Sequence, residues 1–175
     1  WSRSLLQLAP NQSRLYVATQ GVSPGKIEGF PLPTDFTLKP QPSTTPSDEG
    51  VAPAGPSVIS PDGKLLVARN GSVFRLSGDP GDDLKFVGRV PRHLDVAIFP
   101  DRSELWLLAS DGQTLKRYSY PELNWQFDYR LPQPAYRMTG DPGRGRLYLA
   151  VVDPKNAASP RVRGLADIHV YEPTR

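Results

Sequence analysis

The chain has 175 residues, 38% of them hydrophobic, with no cysteine and a formal net charge of +3 at pH 7. Its length supports one domain with a sizeable core, no apolar run approaches the roughly eighteen residues of a membrane-crossing helix, and disulfides, thiolate nucleophiles and Cys-ligated metals are excluded. The basic excess is scattered rather than gathered into a stripe that could follow phosphates, which argues against nucleic acid as a partner. Twenty Pro and 15 Gly interrupt the chain too often for long helices, because Pro removes a backbone donor and Gly raises the entropy lost on ordering. Strands joined by turns are expected. The chain starts at Trp1 with no Met, basic leader or apolar signal core, so it reads as a segment whose targeting information would lie upstream.

Taken in chain order, the elements form a repeat. The first strand is Leu5-Leu6-Gln7-Leu8, followed by Pro10 and the turn formers Asn11-Gln12-Ser13, then the apolar run Leu15-Tyr16-Val17-Ala18. Ile27-Glu28-Gly29-Phe30 is a third strand of mixed polarity and Phe36-Thr37-Leu38 a fourth. Residues 31–56 carry prolines at 31, 33, 40, 42, 46, 53 and 56; the insertion, placed at 40–56, is expected to be extended, with 40–52 the most mobile stretch. The cycle then restarts. Ser57-Val58-Ile59, the turn at Pro61-Asp62-Gly63, Leu65-Leu66-Val67-Ala68, Val73-Phe74-Arg75-Leu76 and the strand over 84–90 make the second repeat. The third comprises the strand over 94–99, Pro100 with Asp101-Arg102-Ser103, Leu105-Trp106-Leu107-Leu108, Leu115-Lys116-Arg117-Tyr118 and the strand over 126–130. The fourth comprises Ala135-Tyr136-Arg137-Met138, Pro142 with Gly143-Arg144-Gly145, Leu147-Tyr148-Leu149-Ala150 and Ile168-His169-Val170-Tyr171, with no fourth strand.

The four leading leucines, Leu15, Leu65, Leu105 and Leu147, are spaced 50, 40 and 42 residues apart. Each begins a short apolar run bounded by turn residues, as a strand buried on both faces does. A period of about 40 to 50 residues with four antiparallel strands is that of a propeller blade. The expected fold is therefore all-β, a β-propeller or partial propeller of four repeats. The domain plan is a single propeller-like domain over 1–175 with blades at 4–40, 57–90, 94–131 and 135–172.

Ser60-Pro61-Asp62-Gly63-Lys64-Leu65-Leu66-Val67-Ala68 resembles the hairpin between the first two strands of WD40-like and YVTN-type propeller repeats. Asp167-Ile168-His169-Val170-Tyr171-Glu172 resembles their third strand. The Gly-His and Trp-Asp dipeptides of true WD40 repeats are absent, so that family's hydrogen-bond network is not implied. The resemblance implies a fold and leaves function open, since propellers serve as scaffolds, receptors and enzymes.

No catalytic, metal or cofactor motif is present. The two histidines, His93 and His169, lack the partners that a zinc site or a nucleophilic relay needs. Asp62, Asp101 and Asp141 recur once per repeat and could be read as a ring of metal ligands, but Asp at such places builds the turn by accepting from the next backbone amides. Tyr16, Trp106 and Tyr148 share one position in the repeat and are expected to pack between blades, whereas Trp125 is expected at the surface. Candidate binding residues come from one face of the repeat: Arg92 and His93, Tyr136 and Arg137, and Arg161 and Arg163 in the long loop of the last repeat, grouped as a basic rim.

These features favour a non-catalytic module that binds a protein or small-molecule ligand, without cofactor. The alternative is a propeller enzyme, such as a metal-dependent lactonase or a quinone-dependent dehydrogenase, which would hold a divalent ion with carboxylates and amides. Because the fourth repeat lacks its last strand, self-association or a partner is also expected.

Overall fold

The computed structural model describes residues 4–19, 25–32, 42–46, 51–151 and 167–171. Among them the regular structure is nearly all strand, and no helix is long and apolar enough to cross a membrane. Four sheets follow one another, and in each the strands pair antiparallel in sequence order. The first sheet holds β1 (Ser4–Leu8), β2 (Arg14–Thr19), β3 (Lys26–Pro31) and β4 (Ser43–Thr44); the second holds β5 (Ser57–Ile59), β6 (Leu65–Ala68), β7 (Ser72–Arg75) and β8 (Lys85–Arg89). The third holds β9 (His93–Phe99), β10 (Glu104–Ala109), β11 (Thr114–Ser119) and β12 (Trp125–Arg130). The fourth has three strands among the described residues, β13 (Ala135–Asp141), β14 (Arg146–Val151) and β15 (Asp167–Tyr171). The chain divides into two compact units, Trp1–Pro91 and Arg92–Arg175, each carrying two sheets.

The turn chemistry follows the residues. At the hairpin between β5 and β6, Ser60 Oγ accepts from the amides of Lys64 and Leu65 and donates to Asp62 Oδ1, while Gly63 supplies φ +72°. The carboxylate therefore organises its own turn. The equivalent turn between β9 and β10 is a short 3-10 segment, Pro100–Arg102, closed by Ser103 in the left-handed region at φ 53°.

In the first unit, Tyr16, Ala18 and Ile27 from the first sheet pack against Leu66, Phe74, Leu76 and Leu84 from the second. A buried polar cluster joins the same two sheets. Arg14 pairs with Asp83 at 3.0 Å, with both side chains shielded from solvent. Asp83 also accepts from the Tyr16 hydroxyl at 3.0 Å, from Ser43 Oγ and from the amide of Ser77. Arg14 Nη2 reaches the Gly29 carbonyl and Ser43 Oγ as well. Burial, reinforced by the neighbouring Asp83 charge and its hydrogen bond, holds the Tyr16 phenol far above its ordinary range.

This cluster explains where the fourth strand of the first sheet lies. β4 falls inside the stretch 40–56 that its composition marked as an insertion, because Ser43 is buried between Arg14 and Asp83 and Thr45 Oγ1 accepts from the amide of Ile27. The segment Phe36-Thr37-Leu38, expected to be that strand, lies outside the described residues.

In the second unit, Trp106, Leu108 and Leu115 of the third sheet pack with Met138, Leu147, Leu149 and Val151 of the fourth. Here the buried charge is Glu104, which accepts from Arg102 Nε at 3.2 Å and Trp106 Nε1 at 2.8 Å and pairs with Arg117 at 3.1 Å. The Arg117 guanidinium also lies over the Trp106 and Phe127 rings, which meet edge to face. The apolar runs at β6 and β10 are buried at every residue, as expected, whereas β2 and β14 alternate buried and half-buried positions. On the outward face of the first sheet, Leu6 is 65% exposed.

Candidate functional site

The best-defined polar constellation lies at one end of the second unit, where the first strands of the third and fourth sheets meet. β9 and β13 are side by side: Gly140 sits so close to β9 that an added Cβ would lie 3.0 Å from Ala97 Cβ and from the Phe99 ring. Near the other end of the contact, Asp95 Oδ2 accepts the amide of Met138 at 2.8 Å. That bond docks the two strands. The same carboxylate oxygen faces Arg137 Nε at 3.4 Å.

Both first strands are irregular at this end. The β9–β10 register shifts between Leu108 and Ala109, and the β13–β14 register shifts between Ala135 and Arg137. Such bulges re-aim side chains out of the alternating pattern, and Tyr136, at the second of them, is 45% exposed. The neighbouring turn completes the rim. Gly112, at φ +67°, accepts the Ala135 amide on its carbonyl at 2.7 Å, and Ser110 Oγ donates to the Arg92 carbonyl at 3.2 Å. A side chain at Gly112 would collide with the Ala135 carbonyl.

Of the residues expected at this rim, Arg92, Tyr136 and Arg137 are exposed, and the Arg137 side chain keeps 67% of its surface. His93 is corrected: it opens β9 opposite Ala109 and is 2% exposed, so it lies beneath the rim as part of the packed strand. Arg161 and Arg163 lie outside the described residues. Asp95 was missed, although a single carboxylate inside the apolar run 94–99 is the signal that could have drawn attention to it.

Elsewhere, Tyr16 and Trp106 are buried as expected, Tyr148 is half-buried, and Trp125 is exposed on β12. Asp141 accepts from the amide and the guanidinium of Arg144, which hold its carboxyl below the usual range, first through the side-chain bond. Among the described residues no three His, Asp or Glu side chains converge as a metal site would require.

No family model matches the sequence, and no curated protein matches it significantly. The fold does match solved structures. The Cps50 (Swd1) β-propeller domain of Myceliophteria thermophila superposes with a TM-score of 0.64 at 11% identity, over 87% of this chain and 51% of that one. A putative 6-phosphogluconolactonase from Bacteroides uniformis gives 0.60 at 15% identity, over 86% and 48%. Hsv2 of Kluyveromyces lactis gives 0.60 at 15% identity, over 96% and 47%. The chain thus spans about half the length of these structures. At such identities the likeness concerns the fold alone, and the fold is that of a β-propeller or part of one.

Proposed function

We propose that this chain is a non-catalytic binding module whose rim of Arg92, Tyr136 and Arg137 engages an acidic protein segment. The observation that carries this reading is the bulged start of β13. It turns Tyr136 outward while Asp95 tethers the adjacent backbone, so the exposed aromatic and the cation beside it stand on a fixed base. Arg137 has its Nε against Asp95, and its remaining N–H donors could take a carboxylate. Arg161 and Arg163 would add to the same face if the long loop of the last repeat folds over it.

Calorimetric titration with hexaglutamate at low ionic strength tests the reading. Binding that weakens with added salt and falls at least about tenfold in an Arg137→Ala, Tyr136→Ala double variant is expected. Equal affinity of wild type and variant would exclude the rim.

The lactonase among the similar structures favours a second reading, a propeller enzyme. Stoichiometric calcium binding together with hydrolysis of a sugar lactone would replace the first reading by the second.

A further inference from the structure

The last strand of the third sheet differs from the last strands of the first and second. β12 is the outermost strand of that sheet, and all six of its side chains are exposed. Edge strands in folded proteins are usually blunted by shortness, Lys, Pro or a bulge. β4 is two residues long, and β8 starts with Lys85 and contains Gly88. β12 instead reads Trp125-Gln126-Phe127-Asp128-Tyr129-Arg130, without Lys or Pro, and its one irregularity lies at the Trp125 end. Residues 127–130 form a regular strand whose outer side pairs with no other strand among the described residues.

The amide of Leu131 donates to Gln113 in β11's strand line, and Tyr129 pairs with Leu115 and Phe127 with Arg117. Backbone groups alternate sides along a strand, so those of Phe127 and Tyr129 turn inward with Leu131, and those of Asp128 and Arg130 turn to the free edge. Asp128 and Arg130 also share one face of the sheet, because they are two residues apart.

We propose that β12 is a self-association edge, pairing antiparallel with β12 of a second copy of this chain about a two-fold axis centred on Tyr129. Only certain registers satisfy the outward groups. Centring on Asp128 sets like charges opposite each other, and centring on Phe127 sets Asp128 against Gln126. Centring on Tyr129 places Asp128 of each copy opposite Arg130 of the other, twice, with both backbone bonds exchanged in each pair. The two Tyr129 side chains then meet in the narrow pair between them. This charge match selects a second copy over an unrelated strand.

Both charged groups have capacity left. Asp128 Oδ1 accepts from Trp125 Nε1 at 2.8 Å and Oδ2 from Lys116 Nζ, and Arg130 Nη2 donates to Gln113 Oε1 at 2.7 Å. A carboxylate has further lone pairs and a guanidinium has four more N–H groups. The existing contacts fix the side chains without consuming them.

Sedimentation equilibrium of the full chain over a concentration series tests the pairing. A monomer–dimer equilibrium is expected, weakened by about tenfold or more in Asp128→Arg and in Arg130→Asp, each of which opposes like charges twice. The Asp128→Arg, Arg130→Asp double variant should return to near the wild-type constant. Arg130→Asp leaves the Lys116–Asp128 and Trp125–Asp128 contacts in place, so it serves even if the other single variant loses structure by circular dichroism. A wild-type monomer at sub-millimolar concentration, a dimer indifferent to both reversals, or a double variant that fails to recover would each overturn the proposal.

Discussion

The two units place a charge at the same point of the repeat, the residue before the leading leucine, and resolve it in different ways. In the first unit Arg14 and Tyr16 of β2 meet Asp83, which follows β7 in the next sheet, so the buried ion pair spans two sheets. In the second unit Glu104 and Trp106 of β10 meet Arg117 on β11 of the same sheet, with Arg102 alongside. Arg14 and Asp83 are both sealed from water, whereas Arg102 and Arg117 keep 30% and 23% of their side-chain surface. One position can thus serve as a bolt between sheets or a brace within one. The sign of its charge follows from whichever partner the neighbouring strands supply.

The largest expected effect separates the two arrangements. Asp83→Ala would leave Arg14 charged and buried and strip acceptors from Tyr16, Ser43 and the Ser77 amide. Breaking a buried pair in this way costs about 3–5 kcal/mol, measurable by urea unfolding. Trp106→Ala and Leu107→Ala should each cost roughly 2–5 kcal/mol as core truncations. Glu104→Gln should cost less than Asp83→Ala, about 1–2 kcal/mol, because its cations can turn to solvent. Equal losses for Asp83→Ala and Glu104→Gln would erase the distinction.

The pH response sharpens the comparison from another side. Tyr16 titrates above its ordinary value, chiefly through burial, so the folded state holds the phenolic proton more tightly than the unfolded chain. That contribution is fully present below the unfolded value of about 10 and is lost as pH rises beyond it. Tyr16→Phe should flatten the alkaline decline in stability while costing about 1 kcal/mol at neutral pH. A residual decline is expected from Tyr118, whose phenol is also raised by burial. An unchanged alkaline limb in the variant would mean that Tyr16 does not carry this dependence. The smallest effect belongs to the rim: Arg137→Ala should stay within about 0.5 kcal/mol of wild type in the same unfolding assay, as exposed sites do.

Local chemistry made the repeat legible. A proline and turn formers four or five residues before an apolar run dictate a hairpin wherever they occur, and Ser60-Pro61-Asp62-Gly63 closes its turn by contacts within six residues. The buried runs at Leu65–Ala68 and Leu105–Leu108 could be read for the same reason, since alternation and burial depend on the run's own composition. Sequence alone also pointed to Arg92, Tyr136 and Arg137 as rim residues, and all three side chains are exposed. Three other features were settled only by tertiary contacts. Ser43 became a strand residue because Arg14 and Asp83, distant in the chain, enclose it; composition around it pointed to a mobile insertion. His93 went into the packed strand rather than onto the rim because β9 pairs one residue earlier than its apolar pattern begins. Asp95 acquired its role from Met138, 43 residues away. Turns and strand polarity are short-range properties that residue types determine directly, while the partner of a buried polar group is chosen by which strands the fold brings within hydrogen-bond reach.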